Sequence, residues 1–216
     1  MTINKPKKSF LKDQAYEKIK ELIVNGDLAP GDFISEAFLS EQLEMSRTPV
    51  RSALQRLEHD GILRIHPKQG IYISDISVKQ INEVYEIRIA LETFALRKLS
   101  KTIEQNQLEV LHGILKTQFE HVKNEEFDLS LKYDLIFHLK IMEFIENDQM
   151  LEMYKSIRDK LKFFGNEVLK KNIDRLWQTY EEHISILEEL EEGNTEEVVE
   201  RMENHLQDGR RTLLDS

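Results

Sequence analysis

The chain has 216 residues, 40% of them apolar, enough to bury two modest hydrophobic cores. It has no cysteine, which excludes a disulfide framework, a cysteine zinc knuckle and a thiol nucleophile, and leaves histidine and carboxylate as the available metal ligands. The formal net charge of -10 argues against a nucleic-acid partner until it is divided: residues 1–74 carry 11 Lys+Arg against 10 Asp+Glu, and residues 75–216 carry 19 against 30, so only the first third suits a phosphate backbone, through a local basic patch.

From Asp13 to Asn25, Ala15, Tyr16, Ile19, Leu22 and Ile23 recur at helical spacing, and Gly26 ends the pattern. The run Gly26-Asp-Leu-Ala-Pro-Gly31 reads as a turn, after which Ser35 caps a short helix carrying Phe38, Leu39 and Leu43. Met45 closes that helix. Ser46 is placed as a second N-cap, Pro49 is tolerated near a first turn, and Val50, Ala53, Leu54 and Leu57 form the inward stripe of a helix ending at Gly61. Two capped helices with a tight joint predict a helix-turn-helix. Ile62 to Ile65 and Ile71 to Ile73 read as short strands around Pro67-Lys68-Gln69-Gly70, a wing with a basic, glycine-ended tip.

Beyond Ser74 the strand signals stop. Six helices are expected, roughly 78–99, 103–123, 128–146, 148–164, 173–192 and 195–213. The predicted fold class is therefore mainly α, a winged helix-turn-helix over residues 1–74 followed by an all-α six-helix bundle over 75–216. No apolar run approaches the roughly 20 residues of a membrane span, and the first residues lack the apolar centre of a signal peptide, so no membrane partner and a cytoplasmic location are expected.

The segments Gly26 to Gly31, Ser46-Arg-Thr-Pro-Val-Arg-Ser-Ala-Leu-Gln-Arg-Leu57, Gly61-Ile-Leu63 and Gly70 closely resemble the GntR family of repressors. The second part resembles its FadR subfamily with an FCD-type effector domain, through Glu86-Ile-Arg88-Ile-Ala-Leu-Glu92, Asp134-Leu-Ile-Phe-His138, His183 and His205. The resemblance implies that the residues matching Arg47, Thr48 and Arg51 contact operator DNA and that the wing tip, Lys68, Gln69 and Gly70, reaches the minor groove. Chemistry agrees: a recognition helix offers its first turns to the major groove, arginine's planar fork suits guanine, and Ser46 and Thr48 can meet phosphate. Ala37 departs from the family, which often places a DNA-contacting arginine there. Arg47, Arg51 and Arg56 could alternatively be ordinary solvated helix charges.

Seven histidines must be weighed by helical face. Leu131, Leu135, His138, Met142 and Ile145 share one apolar stripe, with Asp134 one turn from His138. His183 falls in the stripe of Leu176, Tyr180, Leu187 and Leu190, and His205 lies beside Val198, Met202 and Leu206. One inward carboxylate and three inward imidazoles are costly unless satisfied, which a divalent cation does; the alternative is that each histidine bonds a neighbouring backbone or carboxylate group. Zinc is the default, with nickel, manganese or iron equally suited to this ligand type. Arg88, on the face of Ile81, Val84, Leu91 and Ala95, is expected either to pair with an effector carboxylate or to pair with Glu92 one turn away. His59, His66, His112 and His121 are read as surface or packing residues.

These features predict a homodimeric regulator, a repressor by the resemblance, that binds double-stranded operator DNA and whose affinity is set by a small organic acid at the metal. The alternative is a metalloenzyme, in which open positions on the metal activate water. Against it, no His-Glu-x-x-His pair occurs, and no Glu-x-x-His step precedes His138, His183 or His205.

Overall fold

A computed structural model of the chain describes residues 8–75, 77–171 and 174–215. The chain divides into two compact units at residues 76 and 77.

The first unit contains α1 (Lys8–Val24), β1 (Phe33–Ile34), α2 (Glu36–Gln42), α3 (Arg47–His59), β2 (Leu63–His66) and β3 (Gly70–Ile73). Ala15, Ile19 and Ile23 of α1 are buried with Leu39 of α2 and Val50, Ala53, Leu54 and Leu57 of α3. Their 3–4 spacing gives each helix one apolar face, and the three faces close a single small core. Helix α1 is also tied to the end of α3: the Tyr16 hydroxyl donates to Asp60 at 2.8 Å, and the Arg56 guanidinium lies 3.8 Å from the Tyr16 ring centre. Burial, then the bond to Asp60, pushes the Tyr16 phenol up to about 12.

The sheet has three antiparallel strands in the order β1-β3-β2. Strand β1 was not anticipated, because two residues carry no readable alternation. It matters to the wing: a Cβ at Gly70, which has φ +118, would lie 2.8 Å from the Ile34 carbonyl oxygen, so only glycine fits where β1 crosses β3. Lys68 turns the tip with φ 67, and the Gln69 N–H closes it on the His66 carbonyl.

The second unit consists of α4 (Val78–Leu99), α5 (Gln105–Lys123), α6 (Phe127–Phe144), α7 (Asp148–Lys171), α8 (Arg175–Glu192) and α9 (Thr195–Leu214). Helix α4 starts on a capping box between Ser77 and Gln80, and α8 stops at Gly193, which takes the left-handed conformation, φ 73. Helix α4 packs along α9 and α6, and α5 packs along α6 and α8. Among the described residues six helices are found where six were expected. The fourth runs seven residues past its predicted end at residue 164, carrying Gly165 inside the helix, where a Cβ would run into the Leu131 side chain. Residue 173, predicted to open the fifth, lies outside the described residues.

Candidate functional site

In the first unit, Ser46, Arg47, Thr48 and Arg51 are exposed on the first two turns of α3, and Lys68 and Gln69 are exposed at the wing tip with Gly70 half-buried. Ser46 occupies the N-cap position with extended backbone, as expected, though its hydroxyl makes no cap bond. The reason is local. An N-cap oxygen bonds the N–H of the second or third helical residue, and the third here is Pro49, which has none. The helix start is therefore left with an uncommitted hydroxyl and donors that no side chain caps. Arg51 is held by Glu36 of α2, Nε to Oε2 at 3.1 Å and Nη2 to Oε1 at 3.0 Å.

In the second unit, Asp134 and His138 of α6, His183 of α8 and His205 of α9 come together. The three Nε2 atoms are 3.1, 3.2 and 3.4 Å apart, and Asp134 Oδ1 is 3.5 Å from that of His183 and 3.9 Å from that of His138. His138 and His183 are fully buried, His205 is buried and Asp134 half-buried. Each imidazole is oriented from behind. His138 Nδ1–H donates to Glu92 Oε2, His183 Nδ1–H to Gln118 Oε1 at 3.1 Å, and His205 Nδ1–H to Glu182 Oε2 at 2.6 Å. The acceptors fix the tautomer: with each proton on Nδ1, three bare Nε2 lone pairs face one another.

Burial pushes His138 and His183 far below the usual imidazole range, with the positive charge of Arg88 adding to the effect at both, so both are neutral, the ligating form. Burial raises the Asp134 carboxyl, against the pull of Arg88. Three converging lone pairs and a carboxylate repel without a positive charge between them. Two ligands on one ion at about 2.0–2.1 Å stand roughly 2.9–3.4 Å apart, from octahedral to tetrahedral geometry, so the nitrogen separations fit a divalent cation. The acceptors behind the imidazoles have the form of the outer partners that orient metal-binding histidines.

Two arginines back this layer. Arg88 Nε–H donates to Glu92 Oε1 at 2.6 Å, and Arg175 Nη2–H to Glu182 Oε2 at 2.7 Å, so each charged chain runs from guanidinium through carboxylate to imidazole. Of the two roles considered for Arg88, the pairing with Glu92 is thus present. Its Nη2, although buried, has no hydrogen-bond partner, and neither has Ser130 Oγ. Both residues line a cavity of about 60 Å³ bordered also by Asp134, Arg175 and His205.

The other histidines lie apart from this cluster. His112 pairs with Glu191, His121 with Glu126, and His66 sits in an aromatic trio with Phe33 and Tyr72, while His59 is exposed. The sequence reading missed Gln118 and Glu182 altogether. Gln118 was visible as a polar residue on the apolar stripe of Leu108, Leu111, Leu115 and Val122. Glu182 carried no signal, being one acid among many on α8.

Residues 11–73 match the model for bacterial regulatory proteins of the gntR family, and residues 83–208 match the FCD domain. The chain belongs to the gntR family and carries an FCD domain. It is a DNA-binding transcriptional regulator and not an enzyme, which sets the metalloenzyme alternative aside. Among gntR-family relatives it is 29% identical to YdhC, an HTH-type transcriptional regulator of Bacillus subtilis, over 90% of this chain and 86% of that one. It is also 29% identical to the gluconate operon transcriptional repressor of Bacillus subtilis, over 82% of this chain and 71% of the other. The same fold occurs in a GntR transcriptional regulator from Rhodococcus sp. RHA1, with a TM-score of 0.79, 19% identity and coverage of 95% and 98%. Among the described residues no helix is long and apolar enough to cross a membrane.

Proposed function

We propose that this gntR-family regulator is a homodimeric repressor that reads its operator with residues 1–74 and senses a small carboxylate at a divalent metal ion held by residues 75–216. In this reading Arg47 and Arg51 meet base edges in the major groove. Ser46, Thr48 and the start of α3 meet phosphate, and Lys68, Gln69 and Gly70 enter the minor groove. The missing side-chain cap at Ser46 supports this, because it leaves a hydroxyl and a positive helix end for an anion. The gluconate repressor among its relatives supports the sign of the regulation.

Asp134, His138, His183 and His205 would hold the ion, zinc by default with nickel, manganese or iron as the other candidates. The observation that carries this is the convergence of three imidazole Nε2 atoms within 3.4 Å while each Nδ1 is spoken for. When bound, the ion supplies a Lewis-acidic positive charge at which a carboxylate can dock. Arg88 would pair with that carboxylate through its unpartnered Nη2, with Ser130 Oγ as a further donor, and the small cavity selects a compact acid. The two charged chains then link the cavity to the ligands: an anion that draws Arg88 changes the hold of Glu92 on His138. Any acid that binds one arrangement of the bundle more tightly shifts operator affinity by the same free energy that the operator shifts acid affinity.

The test is fluorescence anisotropy of a duplex from upstream of the protein's own gene, with metal-stripped, zinc-loaded, and zinc-plus-acid protein across a panel of small organic acids. The expected outcome is sequence-specific binding by the zinc-loaded form, weakened by the acids that raise its melting temperature. Equal affinity in every state would contradict the sensing half of the reading.

A further inference from the structure

The ion pair between Glu36 and Arg51 has a geometry that bears on sequence recognition. A guanidinium carries five N–H donors around one plane. Glu36 occupies the side edge, taking Nε–H and one hydrogen of Nη2. The end edge, with one hydrogen each on Nη1 and Nη2, remains open, and two parallel donors of that spacing match O6 and N7 of guanine. Glu36 is itself anchored: Ser35 caps α2 by accepting from the Phe38 N–H at 3.0 Å, which sets Glu36 as the first residue of that helix. Its side chain is 26% exposed against 64% for Arg51, so the acid sits inboard and the arginine outboard. Arg47, also exposed on α3, makes no such pair among the described residues.

An exposed pair of this kind adds little to stability. At a surface that must approach phosphates, a carboxylate moreover weakens general attraction to DNA. Its use is orientation: a free arginine can swing to a phosphate or to another acceptor, whereas one gripped along its side edge offers only its end. We propose that Glu36 is a specificity-determining positioning residue that holds Arg51 end-on toward one guanine in each half-site, while Arg47 is left free to adapt. This rests on the reading that the first turns of α3 enter the major groove.

The experiment is selection of binding sites from a randomised duplex library by the wild type, E36Q, Glu36→Asp and R51A, followed by affinity measurements on the selected duplex, its single-base variants and an unrelated duplex. The wild type is expected to select one guanine at a fixed position in each half-site, and R51A to lose that preference. E36Q, with unchanged melting temperature, should lose about tenfold of the discrimination for that guanine. It should nevertheless bind the unrelated duplex as tightly or slightly more tightly, because one negative charge is gone. Glu36→Asp should recover part of the preference. If E36Q keeps the full preference while R51A loses it, the positioning role is wrong and the DNA reading stands. If R51A keeps it, or no guanine is selected, the reading of Arg51 falls and the inference with it. A uniform loss in E36Q across all duplexes would show that Glu36 acts on the fold and would also overturn the inference.

Discussion

The two units expose and hide their chemistry in opposite ways. In the first, every candidate DNA-reading side chain except Gly70 stands in solvent on a scaffold whose core is made elsewhere, from Ile19, Leu39, Leu54 and Leu57. In the second, most of the candidate metal ligands and their partners lie in the core: Glu92, His138 and His183 are fully buried, and Phe137 stacks on the His183 ring at 4.5 Å. Function and folding are therefore separable in one unit and joined in the other. A substitution at an exposed reading residue removes a contact, whereas one at a buried ligand-layer residue leaves a charge without its partner.

The largest effect expected from this contrast is at Glu92. Glu92→Ala strips a carboxylate from both Arg88 and His138 and should destabilise the second unit by about 3–5 kcal/mol, the usual cost of breaking a buried pair. Denaturant unfolding with separate probes in the two units would measure it, and a loss under about 1 kcal/mol would break the comparison. Next comes Arg51→Ala, which should leave unfolding unchanged and cost about 1–3 kcal/mol in discrimination between the operator and its single-base variants. A shifted melting temperature would mean that the first unit is not separable after all. The smallest is Lys68→Ala at the wing tip. It should weaken all duplexes about equally and reduce the salt dependence of binding by roughly one charge, read from affinity against salt concentration; a change confined to one sequence would assign Lys68 to base reading instead.

The same contrast explains what was legible beforehand. In the bundle, His138, His183 and His205 could be found from sequence because an imidazole on a leucine stripe has to be paid for by a partner, and three such stripes suggested a common one. Their outer partners were not legible. Glu182 is indistinguishable from its solvated neighbours until α8 and α9 are packed, and Gln118 needs the neighbouring helix to acquire a purpose. In the winged unit, the helix ends and the wing followed from glycine, proline and apolar spacing, whereas α1 opens at Lys8, ahead of the expected Asp13. Ser46 stands at the N-cap as expected, but its hydroxyl makes no cap bond, because Pro49, three residues on, removes a donor. The pairing of Glu36 with Arg51 spans 15 residues across a turn and leaves no local pattern.

The central claim is that His183 helps hold a cation in the core of the second unit. Zinc titrated by calorimetry into metal-stripped wild type and His183→Ala tests it most directly. One site per chain in the wild type, weakened at least a hundredfold in the variant, is the predicted result. Equal binding by both proteins, or none by either folded protein, would contradict it.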